Sequence, residues 1–249
     1  MFAIFKKELR AYFTTPVGYV YSGIFLAAAA ILCASTTYGA AEPSYDTTSY
    51  FQYLIFTFII LIPLLTMRLF SEEKKMRTEQ LLLTAPVTIT GMVFGKYLAA
   101  LTLFLSGMVA SCINFFPLIS YAMSESAASN SGAHIGPVGG EVFGCLLGVI
   151  LIGACFIAVG LFISSLTESQ LSAAVISIAA IIVMVLAGMF NTYIEVEWIR
   201  VALDWISVLS RFDYFAYGLF DFSALLYYVS ISGIFLFLTV RVYDKRRWG

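Results

Sequence analysis

The sequence predicts an all-α polytopic membrane protein with six transmembrane helices, and three observations predict it. Of 249 residues, 61% are hydrophobic and only 12% charged, whereas a water-soluble domain carries about 25% charged residues. Uncharged apolar runs recur six times, each near the roughly 20 residues a helix needs to cross about 30 Å of hydrocarbon at about 1.5 Å per residue. Lys and Arg gather in the segments that would emerge on one face, and acids on the other. A mean hydropathy of +0.92 agrees. The net charge of -1 argues against a nucleic-acid partner, because counterion release needs clustered cations on a folded soluble surface.

Taken in order, residues 1–15 place Phe2, Phe5, Leu9, Tyr12 and Phe13 at three- and four-residue spacing, with Lys6, Lys7 and Arg10 on other faces. This pattern suits a helix lying in the membrane interface, its aromatics in the acyl boundary and its cations near anionic headgroups. Pro16 ends it. A signal peptide is the competing reading, with a basic n-region and a cleavage-like Tyr38-Gly39-Ala40. The apolar run that follows is too long for an h-region, so the segment is expected to remain.

The spans are expected at 17–38, 50–69, 94–121, 142–166, 171–190 and 223–240. The second contains Pro63, which removes a backbone hydrogen bond and is expected to kink the helix near its end. The third carries Asn114 and Pro117; Asn114 either lines a substrate path or makes an interhelical hydrogen bond worth about 1 kcal/mol. In the fourth, Gly144 and Gly148 have the small-x-x-x-small spacing that lets helix backbones approach, which places this span deep in the bundle. Glu168, in the turn between the fourth and fifth spans, is either a helix-capping carboxylate or a partner contact.

Between the spans, residues 122–140 are rich in Ser, Ala and Gly and hold the only histidine, His134; with no second His and no nearby Cys or carboxylate pair, no metal site is expected. Residues 191–222 mix Glu195, Glu197, Arg200, Asp204, Arg211, Asp213 and Asp221 with Trp198, Trp205, Phe212, Tyr214, Phe215 and Phe220. That composition suits short amphipathic helices at the outer interface, where Trp and Tyr are favoured.

Six spans put both termini on one side, and the cations say which. Twelve of the 14 Lys and Arg fall at the amino end, in the stretch 68–96 or at the carboxyl end; Arg200 and Arg211 lie opposite. By the positive-inside rule the termini are cytoplasmic. The turn at Glu168 lacks a cation.

The stretch Phe70–Lys96 is the only long charged, helix-capable segment between two apolar runs. It reads either as a solvated loop or as a docking helix for a soluble partner. Gly91 to Tyr97 imitates a P-loop but has three residues between the glycines and Tyr where Ser or Thr must meet magnesium. Cys33, Cys112, Cys145 and Cys155 fall inside apolar runs without a pairing motif and read as small packing residues. No span has an ionisable residue near its middle, which an ion-coupled carrier needs despite a cost of roughly 2.5–3.5 kcal/mol. Energy for transport would come from another chain. No catalytic, cofactor-binding or metal-binding residue is expected in this one.

The order of Thr15-Pro16, six spans, Glu72-Glu73-Lys74, then Thr78-Glu79-Gln80-Leu81-Leu82-Leu83-Thr84-Ala85-Pro86-Val87 and Gly95-Lys96 resembles the ABC-2 type permeases of ATP-binding-cassette transporters. The likeness extends through the run Gly160–Glu168 and the segment 210–221 with Tyr217-Gly218. It is strongest to the branch containing the gliding-motility permease and the permease for nitrous-oxide reductase maturation. Arg77 departs from it, standing where that family often has glycine.

The resemblance implies a permease subunit of the bacterial cytoplasmic (inner) membrane, both termini cytoplasmic, expected to act as an exporter. It implies pairing with a second permease copy or homologue and with two cytoplasmic ABC ATPase subunits that bind MgATP, with room for an extracytoplasmic accessory subunit. Residues 71–86 would then be the coupling segment, with Glu72, Glu73, Lys74, Thr78, Glu79, Leu81, Leu82, Leu83 and Pro86 seated on the ATPase. The amino-terminal helix would be an elbow meeting membrane lipid through Phe5, Lys6, Lys7, Leu9 and Arg10. Residues 191–222 would be outer re-entrant helices, and Asn114, Gly144 and Gly148 either line the pathway or pack. The alternative is a membrane scaffold that recruits a soluble cytoplasmic protein without transport. A membrane-embedded enzyme is disfavoured, since no span holds a paired acid, base or nucleophile.

Overall fold

A computed structural model describes residues 1–38, 47–76, 88–128, 139–190 and 197–248. Helix α1 (Phe2–Thr14) lies outside the spans and is closed by Thr15, whose extended backbone lets Pro16 open α2 (Pro16–Cys33). Proline is tolerated there because the first turn of a helix has no intrahelical acceptor for its missing N–H. A π-helical turn, Ala34–Tyr38, prolongs α2.

Helix α3 (Thr48–Thr66) and the charged α4 (Arg68–Lys75) are one rod interrupted at Met67. Pro63 lies four residues before the interruption: its missing N–H withholds the ladder bond from the Ile59 carbonyl, while its own carbonyl accepts from the Met67 amide at 2.8 Å. Helix α5 (Ile89–Ser111) begins five residues before the expected boundary, because Thr88 caps it by accepting a hydrogen bond from the Gly91 amide. Its span is broken by the 3-10 turn Cys112–Asn114 and continues as α6 (Phe115–Ala128). Pro117 explains the break, since its ring collides with the carbonyl of Ile113.

Helix α7 (Gly139–Leu166) is the axis of the fold. It packs on α3, α5, α8 (Gln170–Phe190) and α11 (Phe222–Trp248), and 67% of its apolar stretch is buried within the chain, against 28% for the first span. Three of its glycines take what a Cβ would block: Gly148 meets the Phe212 ring, Gly153 the Phe104 ring, and Gly160 the Thr66 side chain. The Phe25, Phe58 and Phe104 rings, with centroids 5.1 to 6.5 Å apart, fill the space between α2, α3 and α5. Such pairs each contribute about 0.5–1.5 kcal/mol beyond area burial.

At the end of the bundle away from the termini, α9 (Glu197–Ile206), the turn Leu209–Arg211 and α10 (Phe212–Ala216) sit before α11. Two tyrosines of α11 hold them: Tyr227 donates to the Trp205 carbonyl (2.8 Å) and Tyr228 to the Val208 carbonyl (2.7 Å). The Arg211 guanidinium stacks 3.8 Å from the Tyr227 ring. Among the described residues, six helices are long and apolar enough to cross a membrane: Pro16–Thr36, Thr48–Lys75, Ile89–Ser120, Gly139–Leu166, Gln170–Gly188 and Phe222–Arg247. The last runs well past the expected residue 240, because Asp244, Lys245, Arg246 and Arg247 continue the helix into polar surroundings rather than ending it.

Candidate functional site

The chain's charges converge where α1, α4 and the first turns of α5 meet, at the end that carries both termini. Lys96 is its centre. Only 1% of its side chain is exposed, and its ammonium lies 2.9 Å from Glu73 Oε1 and 3.1 Å from Glu8 Oε1 while donating to the Leu69 carbonyl at 2.6 Å. The Phe70 ring lies 5.0 Å from the same ammonium. Lys7 lies 3.4 Å from Glu73 and 3.5 Å from Glu8 on the outside of the cluster. Burial alone would lower the Lys7 pKa; the charges of Glu8 and Glu73 outweigh it, so its ammonium is raised above the ordinary lysine value. Two cations and two carboxylates thus tie three helices together, with the buried charges mutually compensated.

Helix α4 is held on its other faces too. Arg68 grips Glu72 one turn on through two parallel bonds of 2.7 and 2.9 Å. Lys74 donates to the Ser165 carbonyl and to the Thr167 carbonyl (3.2 Å), at the turn between α7 and α8. At the interruption of the rod, Ser164 Oγ accepts from the Phe70 and Ser71 amides and donates to the Met67 carbonyl, all at 3.2 Å. One hydroxyl therefore satisfies backbone groups that the broken ladder would leave buried. The Phe70 ring also packs on Tyr243 of α11, centroids 4.7 Å apart.

Helix α1 is seated closely on α5. A Cβ at Gly95 would come within 3.2 Å of the Met1 carbonyl and of Ile4, and one at Gly91 within 3.6 Å of Met1. The glycines that imitate a P-loop are thus the seat of the amino-terminal helix. Tyr12 donates to the Leu65 carbonyl (3.3 Å), and burial pushes its phenol up.

Of the residues assigned to coupling, Glu72, Glu73 and Lys74 belong to this network and make contacts within the chain. Thr78, Glu79, Leu81, Leu82, Leu83 and Pro86, like Arg77, lie outside the described residues. In α1, Lys6, Lys7 and Arg10 are exposed while Phe5 and Leu9 are half-buried. Asn114 lies in the 3-10 turn, where its carbonyl faces the Cys33 thiol at 3.8 Å. Gly144 and Gly148 approach the short outer helix α10 rather than another span: a Cβ at Gly144 would stand 2.5 Å from the Phe215 carbonyl. The cap of α8 is Ser169, whose hydroxyl accepts from the Ser172 amide, and not Glu168. His134 lies outside the described residues.

Sequence reasoning passed over Glu8 and gave Ser164 no role. Glu8 carries no local signal, since its partner Lys96 is 88 positions away. At the opposite end a cavity of about 370 Å³ opens between α3, α8 and the outer helices, lined by Gln52, Phe56, Gly188, Ser210, Phe212 and Asp213. Burial raises the Asp213 carboxyl.

The family profile described as ABC-2 family transporter protein matches residues 11–185. That is well over half of the chain. The chain belongs to the ABC-2 transporter family. It is a multi-pass ABC transporter permease, and membrane proteins of this family generally partner with ATPase subunits. The match runs from the last turn of α1 into α8, so it includes α4 and Lys96 of the charged cluster, while Lys7 and Glu8 precede it. No curated protein matches the permease sequence. Helix α4 is thus bonded to α1, α5 and the α7–α8 turn together.

Proposed function

We propose that this permease is the membrane half of an exporter in which it pairs with a second copy or a homologue and with two cytoplasmic ATPase subunits that bind MgATP. The observation that carries the reading is the family match together with the bonding of α4, which leads into the stretch resembling the family's coupling segment. ATP-driven closure of the nucleotide subunits would push on residues 71–86. The α4 rod would pass that push to α3, and through Lys74 and Ser164 to α7 and α8. The charge bias puts the termini, α1 and α4 on the cytoplasmic side of a bacterial inner membrane. Helix α1 then lies along the cytoplasmic leaflet as an elbow, and α9 and α10 lie at the outer surface, where an accessory subunit would dock.

The second permease would meet α3 and α8, which leave Tyr53, Phe56 and Ile60, and Val175 and Val183, exposed. The cavity at Gln52 and Asp213 lies beside these two helices and would be the outer mouth of the path. The branch of gliding-motility and nitrous-oxide reductase maturation permeases remains the nearest reading by resemblance.

Affinity purification in mild detergent, with identification of the proteins recovered and an ATPase assay, tests this. Recovery of a P-loop ATPase whose activity falls when its own catalytic glutamate is replaced supports the exporter. Recovery of this chain alone, or with proteins lacking nucleotide-binding motifs, replaces it with the scaffold. For uncoupling, charge reversal at Lys75, exposed at the end of α4, or at Glu79 is cleaner than reversal at Glu72 or Glu73. Those two hold α4 itself.

A further inference from the structure

Two cavities meet at the corner where α1 turns into α2. One is an apolar groove of about 210 Å³ between α2 and α3, lined by Val17, Val20, Tyr21, Ile24, Leu61 and Leu64. The other, of about 60 Å³, is polar and lies between α1 and α4, lined by Glu8, Tyr12, Thr15, Arg68 and Glu72. They abut through consecutive residues: Thr15 lines the polar one and Pro16 the groove, and Arg68 lines the polar one and Met67 the groove. The result is a slot that is charged at its mouth and hydrocarbon along its length.

Three features fit the slot to one occupant. The groove runs from Pro16 to Ile24, a helix rise of about 12 Å, which is most of the roughly 15 Å depth of one leaflet. The mouth is shaped by a close approach that a side chain would prevent, since a Cβ at Gly18 would stand 2.3 Å from the Tyr12 carbonyl. The mouth itself is lined by Arg68 with Glu8 and Glu72, and the helices around it are positive: α1, α4 and the first turns of α5 carry seven Lys and Arg against three Glu. The three carboxylates are already engaged, Glu72 by Arg68 and Glu8 and Glu73 by Lys96. Glu72 uses two of the five N–H donors of Arg68, which leaves three for an anion. Tyr21, on the wall of the groove, is 5% exposed and its hydroxyl has no partner among the described residues.

We propose that this slot is a binding site for an anionic glycerophospholipid of the adjacent leaflet, one acyl chain lying in the groove between α2 and α3 and the phosphate at Arg68. The site bridges α1, α2, α3 and α4, so the bound lipid braces the amino-terminal helix against the rod that the charged cluster holds. It requires only that the chain spans a membrane, and stands or falls separately from the exporter reading.

The test uses the full chain in nanodiscs of phosphatidylcholine with a minor share of phosphatidylglycerol. A benzophenone amino acid replaces Ile24 in the groove or, as control, Ile31, exposed further along α2. Mass spectrometry then identifies the adducts. Phosphatidylglycerol should be enriched over its share about fivefold at position 24, the factor that one basic residue beside an anionic headgroup supplies, and not at position 31. Arg68→Gln should abolish the enrichment, and Val20→Trp, which fills the groove, should reduce all lipid adducts at position 24. An unchanged yield at position 31 in both variants shows that the helix is intact. Equal adduct composition at the two positions would overturn the site, as would enrichment that survives Arg68→Gln. A chain-to-chain adduct at position 24 would assign the groove to a second copy instead.

Discussion

Replacing Lys96 by Met keeps the length of the side chain and removes its charge from a site that is 1% exposed. Glu8 and Glu73, whose side chains are 12% and 15% exposed, then lose the buried ammonium between them and keep Lys7 beside them. Breaking a buried pair by removing one partner costs about 3–5 kcal/mol, and the residual exposure and the remaining Lys7 reduce this to roughly 2–4 kcal/mol. For a chain of this length that is about 5–15 °C in Tm, read by thermal unfolding of the purified chain in detergent. Lys96→Met with Glu73→Gln restores the balance of one carboxylate and one ammonium, so the double variant should be more stable than Lys96→Met alone. Lys96→Arg should not rescue, because the larger guanidinium must displace the Phe70 ring. A double variant less stable than Lys96→Met would show that unpaired charge is not what destabilises the single one.

Ser164→Ala takes the partner from the Phe70 and Ser71 amides at the rod's interruption, the Met67 carbonyl keeping the Ser71 hydroxyl, and should cost about 1–3 kcal/mol by the same unfolding assay, whereas Ser165→Ala, which loses only a bond within its own helix, should cost under about 1 kcal/mol. Gly144→Ala drives a methyl to 2.5 Å from the Phe215 carbonyl and should destabilise by about 1–3 kcal/mol, more than Gly148→Ala, whose nearest neighbours at 3.1 Å are ring and side-chain carbons; equal losses would contradict the packing of α10 on α7. The Lys7 ammonium is raised in the folded chain, so its contribution is fully present below the ordinary lysine pKa and is lost as pH rises through the raised value. Stability followed above pH ~10.5 should therefore fall less steeply in Lys7→Met than in the parent.

How much of this was legible in the sequence differs by element. The number of spans was, because charge-free runs such as 17–38 and 142–166 leave a helix nowhere but the membrane, and six helices among the described residues are long and apolar enough to cross one. Two boundaries moved for readable reasons, Thr88 being a helix cap and Pro117 a breaker of the third span. The small-x-x-x-small pair was legible as a close approach but not as to what approaches, since Gly144 gives no sign that its neighbour is the short helix at Phe215. The charged cluster was not legible at all. Its residues read as solvated because Glu73 and Lys74 sit in a run of mixed charge, and only the fold brings Glu8 and Lys96 to them.

The stretch after Lys75 is the proposed meeting point of a soluble ATPase and this permease. A benzophenone amino acid at Leu83, with a matched control at Trp205 of α9, measures it in the complex purified from cells. The account predicts an ATPase-sized adduct from position 83 and none from position 205. An adduct from position 205, or none from position 83 while the ATPase is present in the complex, would contradict it.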